Sequence, residues 1–169
     1  FSNSWYGKFH LEMHPWHSGW QAMWGHPDIL ERSLPWYVGN LANARAEAAR
    51  HHVKGAWWPK MVGPEGRNSP SLVSPFIMWQ QPHPILLAEL VWRADKDAAV
   101  LDRYGEVVEA TADLLASWPI EHDGRLNLGA PMIPAQENYD PLTTVNPTFE
   151  VEYFRWALET AQAWRERKG

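Results

Sequence analysis

Most long stretches of apolar residues at helical spacing in this chain are opened by a proline, and that punctuation constrains the fold more than any other feature. Proline is tolerated in the first turn of a helix, where no amide hydrogen bond is lost, and it stops a helix elsewhere. Pro35 heads a stripe of Leu34, Tyr37, Val38, Leu41, Ala48 and Ala49 that runs on through His51, His52 and Lys54 to a stop at Gly55. Pro84 heads Ile85, Leu86, Ala88, Leu90, Val91 and Trp92. Asp95 then reads as the cap of an element carrying Val100, Leu101, Tyr104, Val107, Val108, Leu114, Leu115 and Trp118, with Gly105 allowing a break. Asn146 and Pro147 open a last helix through Phe149, Tyr153, Trp156, Ala157, Ala161 and Trp164, ending in Arg165, Arg167 and Lys168. A shorter helical pattern, Trp16, Trp20, Met23 and Trp24, ends at Gly25 and Pro27, and Asp28 to Ser33 follows as a short helix. The expected fold is all-α, built of helical hairpins. One exception is expected: Ile120–His122 and Arg125–Leu128 flank Asp123-Gly124, a strong signal for a small β-hairpin.

The 169 residues suit a single domain that buries roughly 70% of its unfolded surface. A formal net charge of −5 provides no basic field for a phosphate backbone, so nucleic acid is not an expected partner. No apolar run approaches the ~20 residues of a membrane span. The absence of cysteine excludes disulfides, thiol nucleophiles and thiolate-bound metal. Phe1 is no initiator methionine, so the chain is expected to be processed or part of something longer; the compartment is left open.

Twelve tryptophans exceed what a core of this size needs. Indoles stack on the C–H faces of sugar rings while amides and carboxylates take the hydroxyls, and here they are interleaved with Asn, Gln, His and Glu. Packing between helices accounts for at least half of them on this reading. Residues Phe1 to His17, including Asn3, Trp5 and Tyr6, read as an irregular aromatic-polar segment. Within it Phe9, Leu11 and Met13 alternate with His10, Glu12 and His14, the period of a short strand with the polar three on one face. A metal site of the HExxH kind does not fit, because Glu12 is two residues after His10 and Pro15 blocks the helix. From Gly55 to His83 lies a long, proline-rich but aromatic segment, expected to be functional. It supplies Trp57, Trp58, Lys60, Trp79, Gln80, Gln81 and His83 as candidate sugar contacts. Between Met132 and Pro141 the chain concentrates Gln136, Glu137, Asn138 and Tyr139. Glu137 is the candidate general acid, its pKa raised by burial beside Tyr139 and Pro134 or by a second carboxylate. The bland alternative is an exposed turn residue.

Taken together, Phe9-His10-Leu11-Glu12-Met13-His14-Pro15-Trp16-His17 and the hairpin leading into Pro134-Ala135-Gln136-Glu137-Asn138-Tyr139 resemble the six-hairpin (α/α)6-barrel glycosidases, relatives of the alpha-L-fucosidase and disaccharide-phosphorylase families. Gln136 departs from the proline more usual in the fucosidase pattern. The resemblance implies a hydrolase acting on an oligosaccharide or glycoside, with Glu137 and Asn138 catalytic and His10, Glu12, Trp57, Trp58, Lys60, Trp79, Gln80, Gln81, His83 and Tyr139 binding substrate. It implies no cofactor and no metal ligands, and a periplasmic or extracellular setting. The helices number about half of a twelve-helix toroid. The chain is thus expected to be one domain, 1–169, whose missing hairpins come from the same polypeptide, as does the catalytic base, with Glu12 the in-chain alternative. A non-catalytic helical carbohydrate-binding module is the competing class. A third reading, metal binding through His10, His14 and His17, ranks below both.

Overall fold

The computed structural model describes residues 7–69 and 71–169, and the expectations for Asn3, Trp5 and Tyr6 lie outside them. Three long helices carry the core: α5 (His83–Asp95), α6 (Ala98–Ser117) and α7 (Thr148–Lys168), with α6 packed against both others. Before them come β1 (Phe9–His10), α1 (Trp20–Met23), α2 (Pro27–Glu31), α3 (Pro35–Gly39), α4 (Leu41–Arg50) and β2 (Met61–Val62). Between α6 and α7 lie β3 (Ile120–His122) and β4 (Arg125–Asn127). The chain is mostly helical with two small antiparallel sheets, β1 with β2 and β3 with β4. No helix among the described residues is long and apolar enough to cross a membrane.

Several boundaries differ from the sequence expectation for local reasons. Asp95 closes α5 instead of capping the next helix. Lys96 turns left-handed (φ 51°) and its amide returns to the Trp92 carbonyl at 2.7 Å. Asp97 is the cap of α6, its carboxylate accepting from the Ala99 amide at 2.9 Å. Only these two residues join α5 to α6, so the helices must fold back on one another. Gly105 does not break α6. Asn146 does not cap α7; Pro147 holds that position, while the Asn146 side chain accepts from the Leu128 amide at 2.8 Å and ties the hairpin to the helix start. The Pro35 helix is divided at Asn40 into α3 and α4. The strand expected through His14 ends at His10, because Leu11–Met13 tightens into a 3-10 turn. His14 consequently leaves the face of His10 and Glu12. The β3–β4 hairpin is as expected, with Asp123 (φ 52°) and Gly124 (φ 71°) at its turn.

After α4 the chain dives into the core as an extended, unpaired segment, residues 56–60. Its entry requires Gly55: φ is +76° and a Cβ there would stand 2.1 Å from the Ala110 carbonyl oxygen. Once inside, every backbone polar group needs a partner. The Ala56 amide donates to Ala110 (2.9 Å) and the Trp57 amide to Ala44 (3.0 Å). The Trp58 amide donates to the Gln81 side-chain oxygen (2.8 Å), and the Trp58 carbonyl accepts from the side-chain amides of both Gln80 (3.1 Å) and Gln81 (3.0 Å). Trp57 and Trp58 are themselves core residues.

A buried carboxylate, Glu89, accepts from Trp164 (2.6 Å), Arg167 (2.7 Å) and Arg93 (2.7 Å) and locks α5 to α7. Burial pushes its pKa up, but these three donors outweigh burial and hold it below the usual carboxylate range. Two histidines are held neutral, His83 buried and His14 partly buried. His83 donates from Nε2 to the Glu12 carbonyl (3.0 Å) and accepts from Tyr153 at Nδ1 (2.9 Å). Ser33 donates to the Leu30 carbonyl and accepts from His14 Nε2, and Tyr37 donates to His14 Nδ1. Burial lowers the pKa of His14 to about 4 and of His83 to about 3.

Below pH ~6.5 the unfolded chain therefore takes up protons that the folded chain refuses, so stability falls as the pH drops from about 6.5 toward 4, by on the order of 3 kcal/mol per histidine. Urea unfolding across that range should display the loss, and His83→Gln, less stable at pH 7, should show a shallower decline. Parallel pH profiles for the two proteins would contradict this account of acid sensitivity.

Candidate functional site

The antiparallel pairing of β1 with β2 brings two distant segments into register, His10 opposite Met61 and Phe9 opposite Val62. One residue before β2, the Lys60 carbonyl accepts from the Leu11 amide at 2.9 Å. Lys60 thereby lies beside Glu12. Its ammonium stands 2.6 Å from Oε1 of Glu137 and 3.9 Å from Oε1 of Glu12. His10 Nδ1 meets the same Glu12 oxygen at 3.2 Å. Glu12 is 4% exposed, and its Oε2 is buried with no hydrogen-bond partner. Burial raises its pKa, against the opposing pull of His10 and Lys60.

Glu137 is delivered by a tightly closed loop. The Met132 amide bonds the Pro141 carbonyl (3.0 Å), the Ile133 amide bonds Phe76 (2.7 Å), and the Glu137 amide turns back on Pro134 (2.9 Å). Glu137 itself sits in the left-handed region at φ 57°. A side chain there costs about 1–2 kcal/mol relative to an ordinary backbone, and glycine would relieve it. A strained non-glycine residue at the tip of an anchored loop, with its carboxylate on a lysine, is a reason to look for function.

The expected burial of Glu137 beside Tyr139 and Pro134 is not found. The turn at Pro134 sends residues 136–140 outward: the Glu137 side chain is 36% exposed, and Asn138 and Tyr139 are exposed too. The buried carboxylate of the pair is Glu12. Of the remaining sequence candidates, His10, Glu12, Lys60 and Glu137 converge. Trp57, Trp58, Gln80 and Gln81 do not join them, being engaged in the core as described. Trp79 is also buried, edge-on to His83 with ring centroids 4.8 Å apart. His83 supports the cluster from below through the Glu12 carbonyl. Both nitrogens of His14 are occupied by Tyr37 and Ser33, and among the described residues no three His, Asp or Glu side chains converge as metal ligands do. A cleft of about 340 Å³ lined by Trp36, Asn40, Asn43, Glu47, Trp57 and Asn68, among others, includes none of the four converging residues.

One residue of this region has no counterpart among the sequence candidates. Glu150, in the first turn of α7, is 1% exposed and accepts from the Ala135 amide at 2.7 Å. Its Oε2 is buried without a partner, and burial raises its pKa. The signal was its place two residues past a proline-opened helix start, where a carboxylate faces free amides. It anchors the loop two residues from Glu137. The chain matches no protein-family model and no curated protein.

Glu150→Ala should free the Ala135 amide, measured as faster hydrogen exchange at Ala135 and its neighbours, and Glu150→Gln should restore most of the protection. Unchanged exchange in the alanine variant would remove Glu150 from the loop's support.

Proposed function

We propose that this chain is the acid-bearing part of a glycoside hydrolase, and that its helices form about half of an (α/α)6 toroid completed by hairpins of the same polypeptide. The observation that carries the reading is the pair of carboxylates, one exposed and one buried, held on the single ammonium of Lys60. Cleavage of a glycosidic bond needs a carboxyl group that can hand a proton to the leaving oxygen, and a second carboxylate that activates water or attacks the sugar. With both carboxylates ionised the cluster carries one net negative charge, and one proton neutralises it. Glu137 delivers it, because Glu137 faces the solvent from which a substrate arrives, while Glu12 lies beneath. Asn138 and Tyr139, exposed on the same loop, orient the leaving oxygen or a neighbouring hydroxyl, and His10 and Lys60 line the floor.

Glu12 is a poor match for the water-activating base of an inverting pair with Glu137. Arms of 2.6 and 3.9 Å from one nitrogen cannot part their ends beyond the short limit of the roughly 6.5–9.5 Å separation such pairs use. Glu12 is the charge partner, and the base comes from the remainder of the toroid. The support for the toroid is the α5–α6 hairpin with α7 returning along α6.

In the complete enzyme, Glu137→Gln should cut turnover of unactivated glycosides by about 10² to 10⁴-fold. Activated aryl glycosides and glycosyl fluorides, whose leaving groups depart without a proton, should lose less. Wild-type turnover and an unchanged pH profile in the variant would make Glu137 an ordinary loop residue. Glycan binding with no turnover in either protein would favour the non-catalytic binding module.

A further inference from the structure

The buried carboxylate of the cluster is not fixed by the groups that touch it. His10 at 3.2 Å and Lys60 at 3.9 Å both meet Oε1 of Glu12, the second beyond hydrogen-bond reach, and Oε2 has no hydrogen-bond partner. The place of this side chain is therefore set by its backbone. Glu12 lies in the 3-10 turn Leu11–Met13, where each carbonyl accepts from the amide three residues on. For Glu12 that residue is Pro15, which has no N–H.

His83 supplies the missing donor, its Nε2 meeting the Glu12 carbonyl at 3.0 Å. A carbonyl can only accept, so Nε2 carries the ring proton and Nδ1 of the neutral ring must accept. The group that donates to Nδ1 is the Tyr153 hydroxyl at 2.9 Å. The Tyr153 ring is held in turn between Phe149 and Trp156, with ring centroids 5.6 and 5.8 Å away. Tyr153 stands three residues beyond Glu150 on α7, a spacing that puts both on one face of the helix. Glu150 holds the Ala135 amide of the Glu137 loop at 2.7 Å. One face of α7 thus reaches the loop of Glu137 directly and the turn of Glu12 through His83.

We propose that Tyr153 is a positioning residue for Glu12, acting through His83, and that Glu150 and Tyr153 together make the first turns of α7 the element that places both carboxylates on Lys60. The effect on turnover rests on the hydrolase reading above; the placement of Glu12 does not. A hydroxyl that only filled space in the core would leave the distance from Glu12 to Lys60 unchanged when removed.

The test is carboxyl-carbon NMR titration of Glu12 in the full-length protein, with Tyr153→Phe and Lys60→Met made singly and together. Lys60→Met should raise the Glu12 midpoint in the wild-type background. In Tyr153→Phe the same substitution should raise it about half as much, as when the separation of two charges doubles. Thermal unfolding checks that Tyr153→Phe is folded. His83→Gln, whose side-chain amide can still donate to the Glu12 carbonyl, should keep more of the response than His83→Leu. Turnover of unactivated glycosides by Tyr153→Phe should fall on the order of tenfold with KM little changed. A full Lys60 response in Tyr153→Phe overturns the proposal even where stability falls, and so does a wild-type Glu12 that ignores Lys60→Met. A halved response in a protein that hydrolyses no glycoside upholds the positioning and removes the hydrolase reading instead.

Discussion

The structure depends on a short piece of extended chain, residues 56–60, being threaded between helices with no sheet to receive it. A buried amide or carbonyl left without a partner costs about 1–3 kcal/mol, and a segment of this kind carries several. The carbonyls of Ala44 and Ala110 and the side chains of Gln80 and Gln81 take them up. Gln81 meets both the amide and the carbonyl of Trp58, as a neighbouring strand would. The threading has two results. It seats the indoles of Trp57 and Trp58 in the core, the latter donating to Thr111 at 2.9 Å, and it brings Lys60 out at the edge of β1, next to Glu12.

The buried carboxylates divide by the number of donors each has been given. Glu89, with a guanidinium on each side and an indole N–H, is satisfied and acts as a clamp between helices. Glu12 and Glu150 each keep a buried oxygen without a partner, and burial raises the pKa of both. Unsatisfied, desolvated acids are costly to a fold that has no use for them, and they gather at functional sites. In this molecule both stand against the loop of Glu137: Glu12 through their common Lys60, Glu150 through the Ala135 amide. The left-handed backbone at Glu137 adds strain at the same place.

Much of the helical framework was legible in the sequence because prolines and apolar spacing are local signals. Pro84 and the stripe through Trp92, the run from Val100 to Leu115, and Asp123-Gly124 all mark elements that exist. The cap positions were missed by one or two residues, because Asp97 and Pro147 compete with the equally suitable Asp95 and Asn146. The site was legible only in part. His10, Glu12, Lys60 and Glu137 were singled out by residue type, but their meeting depends on a two-residue pairing of β1 with β2 that leaves almost no periodic trace. The Gln80-Gln81 pair has the chemistry of hydroxyl recognition, yet that same chemistry satisfies buried backbone, and sequence cannot tell a sugar hydroxyl from the Trp58 peptide. Glu150 was overlooked because an acid in the first turn of a helix ordinarily answers to the helix dipole alone.

The central claim is that Lys60 joins the buried Glu12 to Glu137 in one cluster and that Glu12 feels its charge. It is tested most directly by carboxyl-carbon NMR titration of Glu12 in the wild type and in Lys60→Met. The account predicts that Glu12 titrates above the ~4.3 of a free glutamate, and higher still once the ammonium is gone and two carboxylates face each other. A Glu12 that titrates at the ordinary value and does not respond to Lys60→Met would contradict it.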